Sequence, residues 1–170
     1  MEIEALVDQI YEKLKKDPSL IFSENDLTCQ MYKELIKDET QRVFTEWSIE
    51  KEEKQPGERS SRLDIVTCDK DALVFDGKNS KSIPRFDKVM ELKVNWETSG
   101  NKMLDDIIKG DYDRLKALGK DMVDKKYMIA FNLCRKDVSR ERLLEVRKKL
   151  EEANIIFIYK FLNTRELLSP

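Results

Sequence analysis

Residues 88–95, with the sequence KVMELKVN, predict a buried β-strand that carries a charged pair. Successive side chains of a strand point to opposite faces, so Glu91 and Lys93 share one face. Leu92 and Val94 point the other way, toward the core. Isolated charges are costly to bury, and core strands seldom contain them. This charged pair is therefore the first indication of a functional site.

The preceding predicted strand contains a similar exception. In residues 62–68, RLDIVTC, Asp64 lies between Leu63 and Ile65, in a run of strand-forming residues where Asp is depleted. Two successive strands that each carry an acidic residue can place the carboxylates side by side, with Cβ atoms about 5 Å apart. Such neighbours repel each other unless one is protonated or a cation lies between them.

The composition narrows the chemistry that these carboxylates can support. The chain has 170 residues and no histidine, which excludes histidine-based catalytic triads and histidine-ligated zinc. Cys29, Cys68 and Cys134 are far apart in sequence, and we expect buried, reduced thiols. Catalysis would therefore depend on carboxylates, lysines, hydroxyls or a hard cation, and Mg²⁺ or Mn²⁺ suits oxygen ligands.

The charge of the chain is nearly balanced but unevenly distributed. The net charge is −2, with 9 basic and 15 acidic side chains in residues 1–60 and 23 basic and 19 acidic side chains in residues 61–170. The weakly basic second part permits contact with nucleic acid without demonstrating it. No apolar run approaches the roughly 18 residues of a membrane span, so we expect a cytoplasmic protein with no membrane partner.

Periodicity along the chain predicts both helices and strands. The predicted helices cover residues 2–16, 24–37, 102–118 and 139–153. The predicted strands cover residues 43–50, 62–68, 88–95, 126–134 and 155–162, with a short extra strand at 73–75. In the first strand, one face is expected to hold Val43, Thr45, Trp47 and Ile49. The order α-α-β-β-β-α-β-α-β predicts an α/β (α+β) fold with a central mixed sheet flanked by helices.

The two acidic strands resemble those of the PD-(D/E)xK nuclease superfamily, whose fold is called restriction-endonuclease-like. The resemblance lies in Asp64 of RLDIV and in the triplet Glu91-Leu92-Lys93 of MELKV. One departure is that Leu63 precedes Asp64 where the motif name has Pro. The element order α-β-β-β-α-β over residues 24–134 also fits the core of that fold. We expect one domain over residues 1–170, in which a helical extension at 1–22 precedes this core and a helix and strand at 139–162 follow it.

The resemblance implies a divalent-metal-dependent nuclease that hydrolyses phosphodiester bonds of DNA or RNA, with DNA favoured. It implies that Asp64, Glu91 and the backbone carbonyl of Leu92 bind Mg²⁺ or Mn²⁺. It further implies that Lys93 positions or deprotonates the attacking water and stabilises the phosphate charge. Dimers are common where this fold makes double-strand cuts, so the resemblance also allows a homodimer, although the sequence has no dimer signature.

Many members of that superfamily add an acidic residue from the first core helix, and two candidates are present here. At 100° per residue, Leu27, Met31 and Leu35 form the apolar stripe of this helix. Glu24 lies in the middle of the stripe and Glu34 on its flank. Glu24 is therefore the favoured site residue, and Glu34 is an accessory candidate. The other interpretation is that Glu24 only interacts with the helix N-terminus.

The helix after the triplet supplies two further accessory candidates, Asp111 and Arg114. Asp111 lies in the middle of the inner face of this helix, among Leu104, Ile107, Ile108, Leu115 and Leu118. The segment D-x-x-(K/R)-L at 111–115 is similar to the corresponding helix in some branches of the superfamily. Asp111 is expected to pair with Lys93 or Arg114, or to orient a water. The alternative is a structural salt bridge.

Two other interpretations of the chain stay open at the level of sequence. The acidic first part and modest net charge also fit a non-catalytic nucleic-acid or protein-interaction module that retains this fold. A purely structural interpretation treats Asp64, Glu91 and Lys93 as an ion-pair network within the sheet. The nuclease hypothesis requires their polar tips to converge in an open cleft, within about 4–6 Å of one another.

Overall fold

The structure is a computed structural model, and it describes residues 2–49, 61–71, 74–75, 81–82, 85–96 and 100–163. The helices are α1 (Ile3–Lys16), α2 (Glu24–Leu35), α3 (Asn101–Asp106), α4 (Tyr112–Ala117) and α5 (Arg140–Glu152). The strands are β1 (Gln41–Ile49), β2 (Ser61–Asp69), β3 (Val74–Phe75), β4 (Lys81–Ser82), β5 (Phe86–Asn95), β6 (Val123–Asn132) and β7 (Ile155–Phe161).

Five strands form one mixed sheet in the order β1-β2-β5-β6-β7. The pairs β1–β2 and β2–β5 are antiparallel, whereas β5–β6 and β6–β7 are parallel and are connected by helical segments. The predicted class, a mixed α/β fold with a central sheet flanked by helices, is confirmed. The extra strand predicted at 73–75 is β3, which pairs with β4 in a separate hairpin and does not extend the main sheet.

Helices α2 and α5 begin after serine residues that cap them, Ser23 and Ser139. The hydroxyl of Ser23 accepts a hydrogen bond from the Asp26 amide at 3.2 Å, and the Asp26 carboxylate accepts one from the Phe22 amide at 3.0 Å. The first bond satisfies an amide that the first turn of α2 cannot pair internally, and the second holds Phe22, which precedes the helix. Glu24, the first residue of α2, lies beside β5, where its Oε1 is 3.3 Å from Lys93 Nζ.

The two faces of the sheet are covered by separate apolar clusters. Helices α1 and α2 pack on one face, where Met90 and Leu92 of β5 are buried. Helices α3, α4 and α5 pack on the other face, where Val89 of β5 is buried. This alternation along β5 confirms the predicted pattern of KVMELKVN. It places Glu91 and Lys93 on the face covered by α3 and α4.

The prediction that Val43 and Trp47 share one face of β1 is wrong. Glu46 has a φ of 56°, in the left-handed region that interrupts the strand's alternation. Before this residue, Val43 packs in the cluster of α1 and α2. After it, Trp47 packs in the opposite cluster, with its ring centroid 5.1 Å from that of Phe44. The outer part of the β1–β2 hairpin is therefore rotated, and this rotation occurs beside Asp64.

The single helix predicted at 102–118 contains a π-helical turn at Ile107–Asp111, between α3 and α4. The amide of Tyr112 bonds to the carbonyl of Ile107, five residues earlier, so one extra residue is inserted into the helix. Asp111 closes this turn and is buried. The spacing of the apolar residues predicts a regular helix and does not indicate the insertion. Leu104, Ile107 and Leu115 are all buried, as they would be in a regular helix.

The expectation for the cysteines is only partly correct. Cys68 and Cys134 are buried, but Cys29 is exposed. Cys29 lies on α2 away from the buried stripe formed by Leu27 and Met31, so the apolar neighbours in sequence do not enclose it. Within the described parts of the chain, no helix combines the length and apolar character needed to cross a membrane.

Candidate active site

Asp64 lies where β2 and β5 separate. The paired register of these strands covers Ile65–Met90, Val66–Val89 and Thr67–Lys88. Continuing this register by one residue places Asp64 opposite Glu91. One residue further, the Leu92 amide donates a hydrogen bond to Asp64 Oδ2 at 2.7 Å. This bond to a side chain takes the place of the next backbone hydrogen bond between the two strands. The N–H and C=O of a strand residue point toward the same neighbouring strand, so the Leu92 carbonyl also faces β2.

Glu91 is completely enclosed, and its side chain has 0% exposed surface. Its Oε2 accepts a hydrogen bond from the guanidinium of Arg114 at 2.9 Å, whereas its Oε1 is buried and has no hydrogen-bond partner among the described residues. Burial raises the pKa of Glu91 to about 9, and the charge of Asp64 contributes to this increase. Arg114 opposes the increase but does not cancel it. The positive charge near Glu91 is therefore too small to keep its carboxyl group ionised at neutral pH.

Lys93 connects two acidic residues from different helical segments. Its Nζ lies 3.3 Å from Glu24 Oε1 and 3.3 Å from Asp111 Oδ2. Burial lowers the pKa of Lys93, but the charges of Asp111 and Glu24 outweigh this effect, so the net pKa is raised. Lys93 is therefore an ammonium group at neutral pH.

The two acidic partners of Lys93 are themselves partly desolvated. Burial raises the pKa of Glu24 and of Asp111, and the charge of Lys93 opposes the increase in both. Asp111 also forms an ion pair with Arg114, three residues along the helix. Arg114 therefore bridges Asp111 to Glu91 and joins the two halves of the cluster.

The cluster has more acidic than basic groups. Its four carboxyl groups and two basic groups belong to Glu24, Asp64, Glu91, Asp111, Lys93 and Arg114. When all six groups are ionised, the net charge is −2. A deficit of this size in a partly buried site disfavours the fully ionised state, unless a cation is added or a carboxyl group takes up a proton.

The oxygen atoms present suit a hard cation. Asp64, Glu91 and the Leu92 carbonyl are the predicted ligands, and the unpartnered Glu91 Oε1 is an oxygen that a cation would satisfy. Among the residues that the structure describes, no group of three or more acidic or cysteine side chains is arranged to hold a metal ion. Mg²⁺ is often bound through one or two carboxylates, with water and substrate phosphates completing its coordination.

An open cleft of about 280 Å³ adjoins Lys93. Its lining includes Glu24, Lys93, Asn95, Trp96, Lys102 and Asp106. Glu91 does not line this cleft and has no exposed surface. The cleft therefore opens at the Lys93–Glu24 end of the cluster, whereas the nuclease hypothesis requires an opening at the tips of Asp64, Glu91 and Lys93 together.

The structure brings together six of the predicted residues and leaves one apart. Glu34 is mostly buried and forms ion pairs with Lys13, at 3.3 Å, and with Lys37, outside the cluster. The wheel argument that favoured Glu24 over Glu34 therefore agrees with their positions. The direct bond from Arg114 to Glu91 was not predicted. The feature of the sequence that indicates this bond is the i,i+3 spacing of Asp111 and Arg114, which puts both side chains on one helix face.

Comparison with known proteins does not identify the chain. No protein-family model matches it, and a search of curated proteins finds no significant match. The functional interpretation therefore depends on the chemistry of the cluster itself.

Proposed function

We propose that the chain is a divalent-metal-dependent nuclease with a restriction-endonuclease-like core, acting on DNA in preference to RNA. The main support is the meeting of two mid-strand carboxyl groups, those of Asp64 and Glu91, where their strands separate. Lys93 lies on the same strand as Glu91 and reaches an open cleft. Two acids followed by a lysine at this place in a sheet match the residue order of the sequence resemblance, and binding of a substrate at Glu91 would also require this enclosed carboxyl group to become accessible.

The carboxyl groups of Asp64 and Glu91 and the carbonyl of Leu92 would hold Mg²⁺ or Mn²⁺. The bound ion would polarise the scissile phosphate and lower the pKa of its water ligand. Glu24 has a half-exposed carboxylate at the cleft, where it can accept a hydrogen bond from a water. Its position supports a role in orienting the attacking water.

Lys93 is suited to electrostatic stabilisation in this proposal. Its raised pKa keeps the ammonium protonated at neutral pH, so it does not act as the base that accepts a proton from water. A fixed positive charge beside the cleft stabilises the negative charge that develops on the phosphate during attack. Asp111 holds this ammonium in place from the buried side.

Arg114 already pairs with one oxygen of Glu91, so a cation would be held through the other oxygen, Oε1. The Arg114 guanidinium occupies Glu91 Oε2 and lies between this oxygen and Asp111. The same observation supports a second function, a non-catalytic nucleic-acid-binding module in which Arg114 permanently supplies the missing positive charge. The two functions differ in whether the carboxyl groups bind a divalent cation at all.

Cleavage assays with matched variants test the nuclease proposal. The full chain would be incubated with labelled DNA in Mg²⁺, in Mn²⁺ and in EDTA, and the products separated by electrophoresis. Cleavage should occur only with the metal ions and should be abolished by Asp64→Ala and by Lys93→Ala. Glu34→Ala is the control, because this acidic residue pairs with Lys13 and Lys37 outside the cluster and its loss should leave cleavage unchanged.

Calorimetric titration with Mg²⁺ alone separates the two functions. The nuclease proposal expects one saturable site that Asp64→Ala removes and Lys93→Ala retains, because Lys93 is not a ligand. DNA binding without a saturable Mg²⁺ site would favour the non-catalytic module. Robust cleavage by both Asp64→Ala and Lys93→Ala would rule out the proposed mechanism.

A further inference from the structure

Two aromatic side chains are stacked on the surface beside the cleft. The rings of Phe22 and Trp96 are 5.9 Å apart at their centroids, with an angle of 21° between their planes. Phe22 is 66% exposed and Trp96 is 36% exposed. Large apolar rings that meet each other and also face water contribute less to stability than buried rings, so their placement suggests a ligand.

The pair is tied directly to the candidate active site. Phe22 lies two residues before Glu24, and its amide is held by the Asp26 carboxylate at the start of α2. Trp96 lies three residues after Lys93, directly beyond the end of β5, and it lines the same cleft. The rings are thus held on two elements that also hold Glu24 and Lys93.

Trp47, the other tryptophan, has a core position. It makes edge contacts with Phe44 and Phe86, at centroid distances of 5.1 Å and 6.1 Å, and packs against a buried cluster. The common explanation of a tryptophan as a core residue therefore applies to Trp47 and does not apply to Trp96.

We propose that the Phe22–Trp96 pair stacks on an unpaired base of a single-stranded nucleic acid, and that the phosphates of this strand lie along the cleft. The inference rests on the proposed function and narrows its substrate class. Lys93 and Lys102 line the cleft together with the acidic Glu24 and Asp106, so the lysines can pair with a phosphate of the strand while the rings hold its base. Bases inside a duplex have both faces covered by their neighbours, so the stacked base must be unpaired.

Binding of short strands in EDTA tests this inference without cleavage. The probe is a fluorescein-labelled thymidine strand of about 12 nucleotides, a length within the site sizes known for single-strand-binding domains. An abasic strand of the same length and charge is the matched probe, and a uridine strand compares RNA with DNA. Anisotropy gives the affinities, and the Trp47→Phe variant leaves Trp96 as the only tryptophan, so that quenching reports on this ring.

The base-containing strand should bind about 5- to 150-fold more tightly than the abasic strand, as expected for one stacked base. Phe22→Leu and Trp96→Leu should each remove most of this difference, and the thymidine strand should quench Trp96. Leu144→Ala removes an exposed apolar residue from α5 and should change nothing. Equal affinity for the two strands, failure of both to bind, or an unchanged preference in Phe22→Leu would overturn the inference.

Failure of the stacking site can be distinguished from failure of the proposed nuclease function. Metal-dependent cleavage lost in Asp64→Ala, together with no preference for bases, would retain the nuclease and reject the stacking site. A base preference lost in Phe22→Leu, without cleavage or Mg²⁺ binding, would retain the stacking site in a non-catalytic module. A protein partner on these rings would instead give no preference between base-containing and abasic strands, and this result also rejects the inference.

Discussion

The Arg114 guanidinium donates a hydrogen bond to Glu91 Oε2 at 2.9 Å, and that carboxyl group has no exposed surface. The same guanidinium pairs with Asp111, which is also buried. A single arginine thus supplies the only positive charge described next to Glu91. In the absence of a metal ion, this contact compensates for part of the cost of burying an acidic group.

Replacing Arg114 with methionine should therefore destabilise the metal-free protein. The expected loss in the free energy of unfolding is about 2 kcal/mol, because the buried carboxyl groups of Glu91 and Asp111 both lose a hydrogen-bond donor. Urea denaturation in EDTA measures this loss. The double variant Glu91→Gln with Arg114→Met should recover part of it, since the buried group is then uncharged at every pH.

Arg142 provides the matched control for that substitution. Its side chain is 31% exposed, as is that of Arg114, but its partners Asp105 and Glu145 are on the surface. Arg142→Met should cost less than about 1 kcal/mol, as is usual for exposed ion pairs. Equal losses in the two methionine variants would show that Arg114 is only a surface ion-pair residue.

The pKa of Glu91 predicts how stability changes with pH. Burial raises this pKa from the ordinary 4.5 to about 9, so between these values the folded protein holds a proton that the unfolded chain has released. The contribution of Glu91 to stability is therefore largest below pH 4.5 and falls as the pH increases toward 9, by at most about 1.4 kcal/mol per pH unit. Unfolding in EDTA at several pH values measures this slope.

Glu91→Gln should remove this contribution to the slope. The variant should gain stability relative to the wild-type protein as the pH increases from 5 to 9, since only the wild-type protein releases a proton from this position when it unfolds in that range. If the free energy of unfolding of Glu91→Gln changes with pH as that of the wild-type protein does, Glu91 is ionised throughout this range.

Asp64→Asn distinguishes a metal site from a structural ion-pair network. The amide oxygen of asparagine can still accept the Leu92 hydrogen bond, but the charge that opposes ionisation of Glu91 is removed. In a metal site the variant should be more stable than wild type in EDTA at pH 9 and above, where Glu91 ionises, by about 1 kcal/mol, the equivalent of less than one pKa unit. In a structural network, the same variant should be less stable.

Mg²⁺ provides a second measurement on the same variant. At 100 times its dissociation constant, the ion should stabilise the wild-type protein by about 2.7 kcal/mol through mass action. Asp64→Asn should lose most of this gain. Equal stabilisation of both proteins by Mg²⁺ would place the ion elsewhere in the molecule.

The local pattern of the sequence was sufficient to predict the acidic strands. Leu92 is buried toward α1 and α2, Glu91 and Lys93 take the other face, and the helical wheel favoured Glu24 over Glu34. These predictions depend on alternation and on the 3.6-residue period, which are properties of a single element. The periodicity of one strand does not show over how many residues two strands remain paired. The early separation of β2 from β5 was therefore not predicted.

The incorrect predictions concern backbone irregularities and contacts between elements. The left-handed residue Glu46 rotates the end of β1, and the π-helical turn at Ile107–Asp111 interrupts a regular apolar pattern. Glu46 is neither glycine nor proline, so its residue type does not predict the left-handed backbone. The π-helical turn contains Gly110, but this glycine alone does not predict the inserted residue. The bond between Arg114 and Glu91 joins residues 23 positions apart, which no local period can relate.

Two glycines allow the packing at the end of β5 to be tested. A Cβ atom on Gly100 would lie 2.6 Å from Val138 Cγ1 and 2.7 Å from Asn132 Nδ2, so alanine does not fit without a shift. Asn132 is buried and accepts a hydrogen bond from the Asn95 side chain at 2.8 Å, so it has little freedom to move. Gly100→Ala should lower the free energy of unfolding by about 1–3 kcal/mol, the usual cost of overpacking.

Gly110→Ala is the control for this substitution, because a Cβ atom at Gly110 would meet nothing within 4 Å. Alanine there should be neutral or stabilising by up to about 1 kcal/mol, since it restricts the unfolded chain and favours the helical backbone. Thermal or urea unfolding of the two variants compares the effects directly. If both alanines stabilise the protein equally, the close approach of Gly100 to Asn132 and Val138 does not exist in solution.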